Sequence, residues 1–170
     1  MTEKTSYMSS FIIEGGHQLK GEVVPQGAKN EALQIVCAVL LTAEPVTISN
    51  LPDIVDVNKL IDLLAGMGVK IQRKGPGTFR FQADDVNLDY FKTEEFRQKG
   101  GSLRGSTMIL GPLLARFGVG ALPKPGGDKI GRRRMDTHFI GFEALGATFD
   151  YDSKTGFFEA KAPGGLRGTD

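Results

Sequence analysis

The chain has very few of the residues that hold metals or cross-link secreted domains. Cys37 is the only cysteine among 170 residues, and the only histidines are His17 and His138. A single cysteine excludes an internal disulfide, and this set of residues is too small for a thiolate-rich zinc site. We therefore expect no structural metal, and no residue pattern calls for a cofactor.

The net charge is small, and the chain has no long apolar run. The chain has 21 Lys and Arg against 20 Asp and Glu, which gives a net charge of +1. Sequence-independent nucleic-acid binding needs a broad positive excess, so we expect no nucleic-acid partner, and any anion site must be local. No apolar run approaches the roughly 20 residues that span a bilayer, and the chain does not start like a signal peptide. We expect a cytoplasmic protein with no membrane contact.

The sequence does contain an internal repeat, which predicts its architecture. Residues 39–49 align with residues 112–122 at an offset of 73, and residues 66–71 align with residues 144–149 at an offset of 78. The second copy therefore carries five extra residues between positions 122 and 134. A loop lengthened on a repeated scaffold is where function is usually added.

Each copy is predicted to form a helix, a strand, a second helix and a β-hairpin. The first helix, residues 31–41, has no polar residue after Gln34, so it should be enclosed by protein on every side. The second helix has apolar residues at i, i+3, i+4 and i+7, which predicts one buried stripe. This stripe comprises Val57, Leu60, Ile61 and Leu64, and Met135, Phe139 and Phe142 repeat it. The hairpins turn at residues 75–77 and 154–156. Together these elements indicate an α/β protein whose sheets surround central helices, the inverse of the usual barrel.

The end of the chain suggests that a third copy begins there. Residues 166–169, LRGT, echo residues 19–22, LKGE, at an offset of 147, which is close to two repeat lengths. We interpret the chain as part of a longer protein.

Two cations occupy equivalent helix starts in the two copies. Gly27 allows a tight turn, after which Lys29 and Asn30 open the first buried helix, and Arg104 precedes the next buried helix. The free N–H groups at a helix start bind anions, and a lysine adds a mobile point charge for a phosphate. A capped helix with a solvated lysine is the structural alternative for the first stretch.

The lengthened loop concentrates positive charge around one carboxylate. Asp128 lies in a glycine-rich stretch and is followed by three consecutive arginines, residues 132–134. Adjacent arginines repel one another unless an anion or carboxylates separate them, and a diphosphate or phosphorylated substrate would satisfy them. A solvated basic turn or a nucleic-acid patch is the alternative, although no aromatic residue between positions 122 and 138 could stack a base. Asp136 could pair with an arginine or accept hydrogen bonds from a sugar or uracil.

Two other residues with reactive side chains are expected to be structural. Cys37 lies in the all-apolar helix and should be a small core residue with a raised pKa. His138 lies at a semi-buried helix position and is interpreted as a packing or capping residue.

The three charged motifs resemble those of the UDP-N-acetylglucosamine 1-carboxyvinyltransferases, a family of enolpyruvyl transferases. The matching stretches are GAKNEAL, LRGSTMILGPLLARFG and PGGDKIGRRRMDTH, and the resemblance continues in order from about Phe11 to the last residue. It implies an enolpyruvyl transferase-like fold, an inside-out α/β barrel of repeated βαβαββ units, here as an incomplete domain. Residues 1–24 would carry a strand of the family's second domain. Residues 25–170 would form about two of the three units of the first.

The resemblance also implies an activity and a set of substrate-binding residues. The family transfers the enolpyruvyl group of phosphoenolpyruvate to the 3-hydroxyl of UDP-N-acetylglucosamine and releases phosphate, the first committed step of peptidoglycan synthesis. No cofactor is implied. Phosphoenolpyruvate is assigned to Lys29 and Asn30, and the UDP-sugar to Arg104, Arg133, Arg134, Met135, Asp136 and Thr137. Arg134 and Met135 depart from the commonest family pattern, which has proline and valine there.

Asp128 is the candidate catalytic residue. It stands where most of the family carries a cysteine that acts in proton transfer and is alkylated by the epoxide fosfomycin. A carboxyl can serve as a general acid, but neighbouring cations lower its pKa from about 3.9, whereas exclusion of water raises it. We predict insensitivity to fosfomycin, because a carboxylate attacks an epoxide far less readily than a thiolate.

Three other interpretations remain open at this point. The chain could belong to the sister enzyme that acts on shikimate 3-phosphate, which shares the fold and the phosphoenolpyruvate chemistry. It could be a non-catalytic anion- or RNA-binding module built from the same repeats. It could also be a folded but inactive part of the enzyme, in which case the missing unit leaves an apolar face that self-association would cover.

Overall fold

The structure is a computed structural model that describes residues 10–124, 126 and 134–169. The helices of these residues are α1 (Lys29–Ala38), α2 (Val55–Gly66), α3 (Glu94–Gly101), α4 (Leu110–Phe117) and α5 (Asp136–Ala144). The strands are β1 (Val46–Ile48), β2 (Lys70–Gly75), β3 (Thr78–Gln82), β4 (Val119–Pro123), β5 (Thr148–Asp152) and β6 (Phe157–Lys161). Short 3-10 helices occupy Val39–Leu41, Leu88–Lys92 and Arg104–Ile109.

The strands form two antiparallel sheets with the same topology. The first has the order β1-β3-β2 and the second the order β4-β6-β5, so each sheet is a hairpin with an earlier strand added beside its last strand. This shared order confirms the internal repeat. The leading strand that the βαβαββ pattern adds is not present in either described unit. The second copy is preceded instead by the 3-10 helix Leu88–Lys92 and by α3.

Both hairpins turn where the sequence predicts them. Gly77 has a φ of 61° and Gly156 a φ of 68°, a region that glycine enters without steric cost. In the second turn Asp152 accepts hydrogen bonds from the Lys154 N–H and the Thr155 hydroxyl, both at 2.8 Å. These bonds hold the pKa of the Asp152 carboxyl below its usual range, chiefly through the Thr155 hydroxyl.

One continuous apolar core joins the two units. Its largest fully buried side chains come from both copies and include Leu40, Leu60, Leu64, Phe81, Phe96, Leu113 and Leu114. The predicted stripe of α2 is buried, as expected. The corresponding stripe of α5 is half-buried, and Phe139 packs on Phe149 and Phe158 at ring-centroid distances of 4.8 and 5.0 Å.

Helix α1 departs from the prediction that protein encloses it on every side. Its inner face buries Ala32, Leu33, Val36 and Cys37 against α2 and the segment Arg104–Ile109. On the other side Ile35 is 43% exposed, and Leu41, just beyond the helix, is 52% exposed. The expectation is wrong for this structure because none of the described elements packs on that face.

Residues 10–24 form neither a helix nor a strand. Their large apolar side chains are more than 80% exposed: Phe11, Ile12, Ile13, Leu19, Val23 and Val24. A strand is stable only beside a ladder partner, and none of the described strands pairs with this segment. Its assignment to a second domain stays a prediction. No helix in the described part of the chain is long and apolar enough to cross a membrane.

Candidate functional site

The loop before α1 is fixed by the loop before α2. The Gln26 side-chain oxygen accepts a hydrogen bond from the Asp53 N–H at 3.1 Å. Gly27 lies so close to the Asn50 carbonyl oxygen that a Cβ there would overlap it. Asn50 itself adopts a φ of 58°, a left-handed conformation that asparagine tolerates better than most residues. The start of α1, with Lys29 and Asn30, is therefore held at a defined place relative to α2.

An ion pair joins the first turns of these two helices. Lys29 Nζ lies 2.8 Å from Asp56 Oδ2, and both side chains are between a third and a half exposed. Asp56 lies beside the predicted apolar stripe of α2, and the sequence assigned it no role. The pair directs the ammonium group across the gap between the two helices.

The turn that carries Arg104 contains a buried serine and packs against α1. Ser106 is fully buried, and its hydroxyl lies 2.7 and 2.6 Å from the carbonyl oxygens of Gly100 and Leu103, so that it can donate its proton to either of them. A Cβ on Gly105 would come within 3.0 Å of the Leu33 side chain, so this turn approaches α1 closely. Arg104 is thereby placed next to the first turns of α1.

These segments line an open cleft with a volume of about 620 Å³, which we call the cation cleft. Four of the residues assigned to substrates line it: Lys29, Asn30, Arg104 and Met135. The equivalent positions in the two repeats led us to expect Lys29 and Arg104 on one surface, and the structure places them there. The roles assigned to these residues stay predictions.

Other residues of the cation cleft carried no signal in the sequence. Asp56 and Lys59 of α2 and Gln34 of α1 line it, together with Met108. They follow ordinary helical polar or apolar patterns and become neighbours only when the helices pack. His138, interpreted as a packing residue, also borders the cleft and is exposed.

The segment before α5 meets the cation cleft through its main chain. Arg104 Nη2 donates a hydrogen bond to the Arg134 carbonyl oxygen at 3.4 Å. The Arg134 guanidinium forms a two-point ion pair with Asp136, with nitrogen–oxygen distances of 3.0 and 2.7 Å. The hydrogen bond to Asp136 raises the pKa of the Arg134 guanidinium above its ordinary value. The structure therefore contains the arginine–carboxylate pair that the sequence left as one alternative, and neither Asp136 nor Thr137 lines the cleft.

Two assigned residues, Asp128 and Arg133, lie outside the described residues. The described segments on either side of them are close to the site. Gly126 N–H donates to the Gly101 carbonyl at 2.7 Å, beside the turn of Arg104. On the other side, Met135 lines the cation cleft.

The described wall of the cation cleft carries an excess of positive charge. Its cations are Lys29, Lys59 and Arg104, and its one described carboxylate is Asp56, which leaves two positive charges in excess. A concave surface with this excess concentrates anions because field lines focus in clefts. Its chemistry suits a phosphorylated ligand and offers no described set of metal-binding side chains.

The fold is that of an enolpyruvyl transferase. The structure superimposes on the crystal structure of the enolpyruvyl transferase NikO from Streptomyces tendae with a TM-score of 0.64. The match covers 87% of this chain and 31% of NikO at 24% sequence identity, so it shows the fold alone.

The sequence defines the family more closely. Residues 13–170 match the family model described as EPSP synthase (3-phosphoshikimate 1-carboxyvinyltransferase), and the chain belongs to this family of enolpyruvyl transferases. It is 57% identical over 155 residues to a UDP-N-acetylglucosamine 1-carboxyvinyltransferase of Bacteroides thetaiotaomicron. It is 59% identical over 155 residues to the enzyme of that name from Porphyromonas gingivalis. Each match covers 91% of this chain, and the chain spans 36% of the length of either relative.

Proposed function

We propose that the protein to which this chain belongs transfers the enolpyruvyl group of phosphoenolpyruvate to the 3-hydroxyl of UDP-N-acetylglucosamine. The cation cleft carries this proposal, because cations from two repeats converge in a cavity large enough for phosphorylated ligands. The names of the relatives support the choice of acceptor. The product would enter peptidoglycan synthesis, and the protein would act in the cytoplasm.

The proposed reaction is an addition followed by an elimination. The acceptor hydroxyl loses its proton to a base as its oxygen bonds to C2 of phosphoenolpyruvate, and C3 gains a proton from a general acid, which gives a tetrahedral intermediate. Loss of phosphate from C2 and of a proton from C3 then restores the double bond in the product. The protein must therefore neutralise phosphate and move a proton at C3.

Each part of the site has a proposed task. Lys29 and Asn30, at the start of α1, bind phosphoenolpyruvate, and the Asp56 carboxylate orients Lys29. Arg104 binds the UDP-sugar together with the segment 133–137. Asp128 acts as the general acid at C3. It would leave the protein insensitive to fosfomycin, and the mass of the protein after exposure to the drug tests this: an adduct on Asp128 contradicts it.

Phosphate release by the complete gene product tests the proposed function. It should require both phosphoenolpyruvate and UDP-N-acetylglucosamine. Lys29→Met should lower kcat/KM about 10- to 100-fold, because a charge-assisted hydrogen bond contributes about 1.5–3 kcal/mol. Lys154→Met, in the exposed turn after β5, removes the same charge and should change nothing.

The other outcomes each identify a different function. Turnover with shikimate 3-phosphate but not with the UDP-sugar would identify the sister activity, which the description of the matching family names. RNA affinity that falls steeply with salt, without turnover, would identify a nucleic-acid-binding module.

The 170-residue chain alone should bind substrates weakly and show no turnover, because it spans only 36% of the length of the relatives.

A further inference from the structure

Helix α2 contributes two charged residues to the cation cleft, Asp56 and Lys59. Lys59 lies one helical turn after Asp56, and both line the cavity. Residues at i and i+3 share one face of a helix. The sequence assigned neither residue to a substrate, because both belong to the polar side of an amphipathic helix.

The two residues differ in their electrostatic partners. Asp56 is bound to Lys29, with 2.8 Å between Nζ and Oδ2. The Lys59 side chain is exposed and forms no hydrogen bond or ion pair with any residue in the described part of the chain. Asp62, one turn further along α2, borders a separate depression beside Arg73. The Lys59 charge therefore faces the cleft without a described carboxylate to compensate it.

A lysine whose charge is not compensated by a carboxylate can bind a phosphoryl group. Its ammonium is a compact charge on a flexible stem with three donors, which can follow a phosphate oxygen. Because Asp56 already balances Lys29, Lys59 contributes directly to the positive excess of this wall. We propose that Lys59 is a further anion-binding residue of the cation cleft and contacts a phosphoryl oxygen of a bound substrate. This inference rests on the proposed function and adds a residue to its site.

Steady-state kinetics of the complete gene product test the inference. Lys59→Met keeps most of the aliphatic stem and removes the charge, and Lys59→Arg keeps the charge. Lys59→Met should raise the KM of one substrate about tenfold, since losing one charge-assisted contact costs about that factor. The kcat should change less than about twofold, and Lys59→Arg should restore most of the affinity. The substrate whose KM rises identifies the phosphoryl source, either phosphoenolpyruvate or the diphosphate of the UDP-sugar.

Salt and a matched control separate charge from structure. The rise in KM on Lys59→Met should shrink at high ionic strength, because salt screens the charge in the parent protein. Lys74→Met on β2 removes the same charge from an exposed site outside the cleft and should leave both KM values unchanged. If Lys59→Met lowers the unfolding temperature, Lys59→Gln replaces it. Equal KM values for the parent and the neutral variant overturn the inference.

A binding measurement distinguishes failure of the proposed function from failure of the inference about Lys59. If the parent protein shows no turnover, the probe becomes inorganic pyrophosphate, measured by its protection against thermal unfolding. Loss of that protection in Lys59→Met but not in Lys74→Met would support the anion-binding role without the activity. Equal protection in the parent and Lys59→Met, or none in either, would overturn it.

Discussion

At the scale of single residues, two helical glycines have opposite surroundings. Gly66 ends α2 against the buried Tyr90, and a Cβ at Gly66 would overlap the Oη and Cζ atoms of that ring. Gly141 lies within α5, and a Cβ there would meet no atom within 4 Å. The same substitution should therefore have opposite effects at the two positions.

Gly66→Ala should lower the free energy of unfolding by about 1–3 kcal/mol, the usual cost of overpacking. Gly141→Ala should raise it by about 0.5–1 kcal/mol, because alanine loses less backbone entropy in a helix. Urea denaturation of both variants and the parent measures the two effects. A gain in stability from Gly66→Ala would show that Tyr90 moves aside at little cost.

Cys37 gives a second prediction at this scale. Burial raises the pKa of its thiol far above the ordinary value, so the folded protein keeps the proton in alkaline solution. The unfolded thiol ionises near pH 8.5, so alkaline pH favours the unfolded state. The free energy of unfolding should therefore fall by about 1 kcal/mol per pH unit between about pH 8.5 and 10 because of this residue.

The variant Cys37→Ala tests the prediction, because it has no thiol to ionise. Its loss of packing destabilises the protein equally at both ends of this pH range. The difference in stability between the parent and Cys37→Ala should shrink as the pH rises. A thiol reagent should label the parent only on unfolding. Rapid labelling of the folded protein would contradict the buried position of Cys37.

At the scale of elements, an arginine of the second unit closes a helix end of the first. Arg116 Nη1, on α4, approaches the carbonyl oxygens of Leu40, Thr42 and Ala83 at 3.0, 2.9 and 2.8 Å. The last carbonyls of a helix have no partner within it, and a cation there also complements the helix dipole. Arg116 therefore joins the two repeats through three main-chain carbonyl groups of the first unit.

Arg116→Met should lower the free energy of unfolding by about 1.5–3 kcal/mol, the contribution of hydrogen bonds to a charged donor. Arg80→Met, at an exposed position of β3, removes the same charge without these contacts and should cost less than about 0.5 kcal/mol. Thermal and urea denaturation measure both variants. Equal effects of the two substitutions would contradict the prediction. They would show that water can replace the guanidinium group as the hydrogen-bond donor to these three carbonyls.

The elements also show how far periodicity alone predicts burial. The stripe of α2 was predicted correctly because the polar residues of that helix mark its outer face. Helix α1 has no polar residue after Gln34, and this apolar second half did not indicate that Ile35 would be exposed. The partners that pack on a helix decide this, and they lie elsewhere in the chain.

At the scale of the whole molecule, the apolar N-terminal segment makes little contribution to the core. The large apolar side chains of residues 10–24 are more than 80% exposed. Removing residues 1–24 should therefore shift the unfolding temperature by less than about 2 °C, because the described part of this segment, residues 10–24, buries no large apolar side chain. It should also reduce self-association, since exposed apolar patches favour it.

Calorimetry and sedimentation of the shortened and parent chains measure these two effects. Further shortening would remove the hydrogen bond between Gln26 and Asp53, so a chain that starts after residue 27 should be less stable. A large drop in unfolding temperature on removal of residues 1–24 alone would show that the segment packs on the core.

The amino-acid sequence by itself determined the repeat, both hairpins and the helices α1, α2, α4 and α5, because turn residues and hydrophobic spacing act over short distances along the chain. It did not predict α3. It also indicated the cations of the site, since Lys29 and Arg104 occupy equivalent helix starts. Only the tertiary structure decided which side chains share the cation cleft. Asp56 and Lys59 join it because α2 packs beside α1, and that arrangement depends on contacts between residues far apart in the sequence.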